Sequence, residues 1–287
     1  MSNSVTTLGA IAFEGCSSLK SVNISNSITS IESGTFWRCS KLTSITIPKS
    51  VTSIEALAFD GCSRMTSAYI PESVTFIGES AFRGCFNLTS VSLPQNLITI
   101  EDATFMDCKS LNSIEIPNSV TSIGKYAFYN CFALKSVRIP DTIYTIKKEA
   151  FYACRELTSL TIPKHVTSIS DGAFNECKAL IDVYYLTDRP IEESTEIFSY
   201  STYNNATLWV PEGAVFNYQN TNPWNSFSTI KEFDNSNVNE VMEDVNPSVP
   251  YEVYTMEGVK IENNEYGQAP GIYIIRQGDI IKKIAVK

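Results

Sequence analysis

A phenylalanine followed three residues later by a cysteine recurs at an unbroken interval of 23 residues between positions 13 and 177. The pairs are Phe13/Cys16, Phe36/Cys39, Phe59/Cys62, Phe82/Cys85, Phe105/Cys108, Phe128/Cys131, Phe151/Cys154 and Phe174/Cys177. A fixed period of this length is typical of a solenoid, in which each repeat is one coil and buries its apolar side only against its neighbours. Most of the chain is therefore predicted to be a surface for contact rather than an enclosed pocket.

One repeat, residues 111–133, shows the expected structure of every coil. An Ile-x-Ile pair ahead of Pro117 alternates with polar residues, which predicts a short strand with one face in the core. Pro117 ends this strand because proline has no N–H to extend a ladder. A Val-x-x-Ile pair then predicts a second extended segment. The spacing of three between Phe128, Cys131 and the next leucine predicts one or two turns of 3₁₀- or α-helix.

The cysteines all occupy one position of the repeat, so neighbouring thiols point in parallel, a poor geometry for disulfides. We interpret them as buried free thiols that pack as small hydrophobes. A zinc site is not expected, because the sequence has no CxxC pair and His165 is its single histidine. His165 follows the repeat proline, where an exposed loop residue is expected. Without a P-loop, an HExxH motif or a base for a nucleophile, the chain is predicted not to be an enzyme, with no metal and no cofactor.

The net charge of −9 and the pI near 4.8 argue against nucleic acid as a partner, since no basic face is evident in the sequence. No apolar run approaches the ~20 residues that span a bilayer, so no membrane-spanning segment is expected. The first residues do not have the pattern of a signal peptide. Val5 and Leu8 align with Ile28 and Ile31, so the chain opens inside a repeat, and we expect it to derive from a longer exported protein.

The repeat reads L-x-S-[IV]-x-[IL]-P-x-[SN]-[VIL]-T-x-I-x-x-x-A-F-x-x-C. It resembles the BspA-like, or Treponema pallidum type, leucine-rich repeats over roughly residues 4–185. The resemblance implies a leucine-rich-repeat solenoid, mainly β with short helices or 3₁₀ turns. It also implies a surface protein of Bacteroidetes or other mucosal microbes that adheres to or binds host proteins.

Four regions are predicted along the chain. They are a solenoid of 23-residue repeats at 1–185, a C-terminal cap of the solenoid at 186–233, a linker at 234–249 and a small β-module at 250–287. In the cap, bulky side chains are expected to cover the open core of the last coil: Trp209, Tyr218, Trp224 and Phe227. The linker is polar and acidic, with prolines nearby.

The β-module has apolar residues at a period of two and turns that contain glycine, as in hairpins. Its Gly271-Ile-Tyr segment and terminal lysines resemble the C-terminal sorting module of exported Bacteroidetes proteins. A small accessory β-domain is the alternative.

Candidate binding residues are the outward positions that break the polar pattern of the repeat. Five follow the repeat phenylalanine or cysteine and would form an apolar strip: Trp37, Met106, Tyr129, Phe132 and Tyr152. Four lie in the outward column of the first strand: Tyr69, Glu115, Arg138 and Tyr184. Glu115 and Arg138 occupy adjacent coils and are expected to be close enough to pair. Exposed aromatic clusters often anchor a partner; alternatively, these rings only cover the junctions between coils.

The sequence therefore predicts a non-enzymatic binding or adhesion protein, at the cell surface or secreted. Its solenoid face would contact an extracellular protein of a host or a neighbouring cell. Two alternatives stay open: a structural spacer or scaffold that carries another domain, and a module that binds a glycan.

Overall fold

The computed structural model describes residues 1–2, 4–193 and 196–233, together with the backbone of four strands nearer the C-terminus. Residues 4–193 and 196–233 form a solenoid of stacked coils, so the predicted fold class is confirmed. Equivalent residues of successive coils pair in register, as Ser67 pairs with Ser90. The apolar residues of all the coils form one continuous core along the stack. Within the described residues, no helix is long and apolar enough to cross a bilayer.

The strands of the solenoid are short, because each coil contributes only two to five residues to each side. In chain order they are β1 (Ser30–Ile31), β2 (Ser53–Ile54), β3 (Ser67–Tyr69), β4 (Phe76–Ile77), β5 (Ser90–Ser92), β6 (Thr99–Ile100), β7 (Ser113–Glu115), β8 (Ser122–Ile123), β9 (Ser136–Arg138), β10 (Thr145–Ile146), β11 (Ser159–Ile162), β12 (Ser168–Ile169), β13 (Asp182–Tyr185), β14 (Thr207–Pro211) and β15 (Thr229–Phe233).

These strands stack into two parallel columns. The first column contains the pairs β3–β5 and β7–β9 and the four-stranded sheet β11-β13-β14-β15. The second column contains the sheets β1-β2-β4 and β12-β10-β8-β6. In β7, Ile114 is buried while the serine before it and the glutamate after it are exposed. This alternation is the one predicted from the period of two.

The third side of each coil, here called the turn side, is built from turns rather than from the short helix expected in the Phe-x-x-Cys segment. The Cys39 amide donates to the Phe36 carbonyl at 3.0 Å, an i→i−3 bond, but the Phe36 amide donates to Ala58 of the next coil at 2.9 Å. Left-handed residues at Gly34 (φ 61°) and Arg38 (φ 59°) redirect the chain between these bonds. Because alternate amides donate to the next coil, a continuous helix cannot form.

The repeat phenylalanines form a continuous stack of rings through the core. Neighbouring ring centroids are 5.0 to 5.6 Å apart, with interplanar angles of 20° or less. The stack begins at Phe13 and runs through Phe174 to Phe198. Phe198 therefore occupies the phenylalanine position of a further coil, although no cysteine follows it three residues later.

Seven of the eight cysteines are buried free thiols, as predicted, and Cys16 is exposed. Each buried thiol donates to the carbonyl of the phenylalanine 26 residues earlier, as Cys62 does to Phe36 at 3.3 Å. Burial raises the pKa of Cys39 from 9.0 to about 11, with Cys16 adding to the shift. Burial also raises the pKa of Cys108 well above its usual value. Cys39 and Cys108 therefore stay protonated near neutral pH. Each of the seven buried thiols acts as a packing group with one weak hydrogen bond.

Residues 186–233 continue the first strand column. Helix α1 (Tyr200–Asn205) precedes β14, and helix α2 (Val215–Gln219) and a 3₁₀ turn (Trp224–Ser226) precede β15. Three of the four expected covering side chains, Tyr218, Trp224 and Phe227, are buried in the core. Trp209 differs, because β14 pairs it with Tyr184 of β13 and so places it on the outward face of the column.

Nearer the C-terminus, four strands form an antiparallel sheet of order β17-β16-β18-β19. They are β16 (Glu252–Thr255), β17 (Lys260–Ile261), β18 (Gly271–Gln277) and β19 (Ile280–Val286). These strands lie where the period of two predicts them. The predicted linker 234–249 lies outside the described residues, and the similarity to a sorting module stays a prediction.

Candidate binding surface

Three tyrosines meet on the turn side of the solenoid, and we call them the tyrosine cluster: Tyr126, Tyr129 and Tyr152. The rings of Tyr129 and Tyr152 lie in adjacent coils and stack with centroids 4.7 Å apart and an angle of 8°. The ring of Tyr126 meets that of Tyr129 edge-on at 5.8 Å and 75°. The Asn130 amide donates to the Tyr152 carbonyl at 2.8 Å and fixes the two coils in register. All three residues are half-buried, so each remains partly accessible to solvent.

Charged groups lie beside the tyrosine cluster. The ammonium of Lys148 is 3.6 Å from the Glu149 carboxylate and 3.7 Å from that of Asp171. Tyr126 raises the pKa of Lys148, and Glu149 and Asp171 add to this shift. Partial burial raises the pKa of Tyr129, so its hydroxyl stays protonated near neutral pH and can both donate and accept a hydrogen bond. A rigid aromatic body with a polar edge is suited to contact with a partner.

The predicted apolar strip is not continuous, which corrects the sequence-based expectation. Met106 occupies the coil before Tyr129 and is half-buried, so it extends the tyrosine cluster by one coil. Trp37 lies three coils before Met106. In the two coils between them, the equivalent position holds Asp60 and Arg83, which form an ion pair. The indole of Trp37 is covered by the guanidinium of Arg38, 4.6 Å from the ring centroid. Trp37 is therefore separate from the tyrosine cluster.

Phe132 is also part of a different arrangement, because it follows the cysteine rather than the phenylalanine of its repeat. The guanidinium of Arg155 lies 4.4 Å from the centroid of its ring, and the ammonium of Lys109 lies 5.8 Å away. Lys109 in turn lies 4.8 Å from the ring of Phe86. Phe86, Lys109, Phe132 and Arg155 occupy the same position in four successive coils, so rings and cations alternate along this row.

The first strand column exposes three of its four candidate residues, Tyr69, Glu115 and Arg138. Tyr69 is 62% exposed. Glu115 and Arg138 pair through the backbone of β7 and β9, as expected from the register. Their side chains form no ion pair in the described part of the chain, because the Arg138 guanidinium donates to the Asn118 side chain at 3.2 Å instead. The expected charge pair is therefore wrong, although both residues lie on the predicted face.

Tyr184 is not available as a contact residue, which is a second correction. Its ring is 1% exposed. The indole of Trp209 stacks on it at 5.9 Å and 11°, and Phe233 covers it from the last strand at 6.4 Å. Strands β14 and β15 therefore cover the end of the outward face as well as the core. The sequence pattern could not show this, because neither strand keeps the 23-residue spacing.

A further exposed group lies on the second strand column and was not predicted as a site. Phe76, Ile98 and Tyr144 are 40%, 55% and 52% exposed. Ile98 and Tyr144 occupy a position that most other coils fill with threonine, and Phe76 replaces a serine or threonine next to it. Comparison of each position with its equivalents in other coils would have found them.

Residues capable of acid, base or nucleophilic chemistry are dispersed. His165 is exposed in its loop, as expected, while Cys154 and Cys177 lie in the core. Among the described residues, no group of three or more histidine, cysteine, aspartate or glutamate side chains could hold a metal ion.

Comparison with known families and structures agrees with the repeat architecture. The model of the BspA-type leucine-rich repeat region matches residues 1–109 and 75–207, in six copies. None of the curated proteins matches the chain.

Several solved structures are similar to this one. A leucine-rich repeat protein from Bacteroides ovatus is 24% identical with a TM-score of 0.60, and the match covers 78% of this chain and 63% of that one. A leucine-rich cell surface protein from Faecalibacterium prausnitzii is 28% identical with a TM-score of 0.45, covering 77% of this chain and 62% of that one. The leucine-rich repeat protein of T. pallidum is 31% identical with a TM-score of 0.44, covering 60% and 69%. The chain thus spans less than two thirds of the first two proteins.

Proposed function

The chain belongs to the BspA-type leucine-rich repeat family, and from this premise we propose that it is a non-enzymatic adhesion protein, at the bacterial surface or secreted, that binds an extracellular protein. Repeat proteins of this family are protein-binding scaffolds and are generally non-enzymatic. Their stacked coils present a long, rigid face without a closed pocket. This architecture suits recognition of a large partner better than turnover of a small one.

The tyrosine cluster carries the proposal. Tyr129 and Tyr152 are held in one geometry by the 4.7 Å stacking of their rings and by the backbone bonds between their coils. Preorganised aromatic side chains lose little entropy on binding and are frequent hot spots of protein interfaces. Met106, half-buried in the preceding coil, extends the apolar area that a partner would cover.

A binding measurement on a panel of purified extracellular-matrix and plasma proteins tests this proposal. We expect the protein to bind at least one member, and Tyr129→Ala/Tyr152→Ala to weaken that binding by tenfold or more, as loss of a hot spot does. Tyr200→Ala/Phe216→Ala is the matched control, because it removes two aromatic side chains, 82% and 72% exposed, from the cap at residues 186–233, outside the candidate binding residues. If the cluster variant binds as tightly as the wild type, the tyrosine cluster is not the contact surface.

The proposed location is tested separately on intact cells that express the protein. Digestion by a protease added outside the cells, or recovery of the protein from the medium, is the expected result. Complete protection in intact cells, with digestion after lysis, would contradict a surface or secreted protein.

A further inference from the structure

A row of positive charge runs along the corner where the turn side meets the first strand column. In each coil this corner is a segment of four residues: 17–20, 40–43, 63–66, 86–89, 109–112, 132–135, 155–158 and 178–181. Together the segments carry seven cations, here called the basic corner: Lys20, Lys41, Arg64, Lys109, Lys135, Arg155 and Lys178. All seven are exposed, and the segments contain one carboxylate, that of Glu156.

The basic corner corrects the expectation that an acidic chain has no basic face. The net charge of the chain is −9, yet the corner collects seven cations against one acidic residue. The total charge does not show this row, because its members lie in different repeats; alignment of the repeats on their 23-residue period would have found it. Acidic residues collect elsewhere, as in the first coils of the segment that follows the second strand column, where Glu32, Glu55, Glu79 and Glu101 lie.

Backbone hydrogen bonds hold the corner segments in register. The Thr43 amide donates to the Lys20 carbonyl at 3.1 Å, and the Thr66 amide donates to the Thr43 carbonyl at 3.2 Å. The Thr89 amide continues the ladder to the Thr66 carbonyl at 2.9 Å. Because neighbouring strands lie ~4.8 Å apart, seven steps from the first to the last of these segments place the charges along a line of about 34 Å.

Two aromatic rings hold some of the cations in place. Lys109 lies 4.8 Å from the ring of Phe86, and Arg155 lies 4.4 Å from the ring of Phe132. A cation over an aromatic face is restrained without losing its charge. These two head groups are therefore oriented before any ligand arrives, which lowers the entropy cost of binding.

Few of the seven charges are neutralised within the protein. Lys178 lies 2.8 Å from Glu176, and Lys135 lies 4.0 Å from Glu156. The remaining five form no ion pair with any residue in the described ranges. Most of the row is therefore free to interact with an anion.

Polar groups lie between the cations. The hydroxyls of Thr43 and Thr89 donate to the preceding coil, at 3.2 and 2.9 Å, which leaves their oxygen lone pairs as acceptors. Asn87 and Asn112 are exposed in the same row. The corner thus offers hydrogen-bond partners for hydroxyl groups as well as positive charge for acidic groups.

We propose that the basic corner binds a linear anionic polysaccharide, a chain of sugars that carries sulfate or carboxylate groups at intervals. A single file of cations with hydrogen-bonding side chains between them matches both the acidic groups and the hydroxyls of such a polymer. Nucleic acid fits less well, because Lys109 and Arg155 already cover the faces of Phe86 and Phe132 on which bases would stack. This site is independent of the tyrosine cluster and does not require the proposed protein partner.

Titration calorimetry at several salt concentrations tests the proposal. The whole chain is titrated separately with heparin, hyaluronan, neutral dextran and single-stranded DNA. We expect binding to heparin or hyaluronan that weakens as salt rises, no binding to dextran, and weaker binding to DNA. Lys109→Ser/Arg155→Ser should reduce polysaccharide affinity at least tenfold. Serine already occupies this position at Ser17, Ser40 and Ser63, so the variant is compatible with the repeat.

The matched control is Lys125→Ser/Lys147→Ser, which removes the same charge from two exposed positions outside the corner that other coils fill with Ser33 and Ser170. If this control loses as much polysaccharide affinity as the corner variant, the effect comes from overall charge alone and the proposal is overturned. Failure to bind either acidic polysaccharide, or tighter binding of DNA than of both, would also overturn it. The variant Tyr129→Ala/Tyr152→Ala should bind polysaccharide as tightly as the wild type. Loss of polysaccharide binding in this variant would contradict two separate sites.

Discussion

Arg83 clamps the carboxylate of Asp60 from the next coil, with Nη2 2.6 Å from Oδ2 and Nε 3.2 Å from Oδ1. The side chain of Asp60 is 7% exposed and that of Arg83 is 41% exposed. The pair occupies positions that adjacent coils fill with Trp37 and Met106. It therefore replaces an apolar contact between coils with a charged one and divides the apolar residues of the turn side into two groups.

Loss of this clamp should destabilise the solenoid. Arg83→Ala leaves a buried carboxylate without its cation, and we expect the free energy of unfolding to fall by about 2 kcal/mol, less than for a fully buried pair because Arg83 is partly exposed. Urea denaturation followed by circular dichroism measures the change. Lys135→Ala, which breaks an exposed pair 4.0 Å long, should cost less than ~1 kcal/mol. Equal losses in the two variants would show that the burial of Asp60 does not matter.

Gly124 marks a close approach between two coils. A Cβ on Gly124 would lie 2.6 Å from both the amide nitrogen of Asp102 and the carbonyl carbon of Glu101. We expect Gly124→Ala to lower the free energy of unfolding by roughly 2 kcal/mol, because backbone atoms would have to move. Gly9→Ala is the control, since none of the described residues has an atom within 4 Å of its Cβ position. A thermal melt of Gly124→Ala that matches the wild type would contradict this packing.

The ring stack should contribute most to stability in its middle. Phe105 is fully buried between Phe82 and Phe128, with centroids 5.6 Å away on both sides. Phe105→Ala is expected to cost about 3–5 kcal/mol. Phe13→Ala should cost markedly less, because Phe13 is half-buried and stacks on one ring only among the described residues. Chemical denaturation of both variants tests this; a larger effect at Phe13 would contradict the ring stack as the source of stability.

The buried thiols should make the fold sensitive to alkali. The folded pKa of Cys39 is about 11, raised by burial from 9.0. Because the thiol ionises more easily in the unfolded chain than in the fold, its protonated form favours folding. Its contribution to the free energy of unfolding is complete below pH 9 and is lost as the pH rises through 11. We expect stability under reducing conditions to fall over this range, and less steeply in Cys39→Ala.

Gly9→Ala, which leaves every thiol in place and has no atom of the described residues within 4 Å of its Cβ position, is the control for that experiment. Its pH dependence between 9 and 11 should match that of the wild type. If Cys39→Ala and the wild type lose stability in parallel, ionisation of this thiol does not contribute.

The 23-residue period by itself determined the solenoid, its two strand columns and the burial of the thiols. Such a repeat can bury its apolar residues only by stacking, so equivalent residues must meet. The period could not reveal the left-handed turns, because the structure places Leu57, Tyr126 and Glu149 at positive φ as well as glycines. Bonds to the next coil impose that conformation, and no single repeat contains them.

Only the tertiary structure decided which outward residues stay accessible and which charged side chains are paired. Tyr184 follows the repeat pattern but is covered by Trp209 and Phe233, which come from strands outside the period. Side-chain geometry also decides which charges are paired: Arg83 pairs with Asp60, whereas Lys109 lies over the ring of Phe86. Burial and electrostatic potential depend on distances between atoms in space. The 23-residue repeat specifies those distances for the backbone of the stacked coils, but not for β14 and β15, the strands that close the stack.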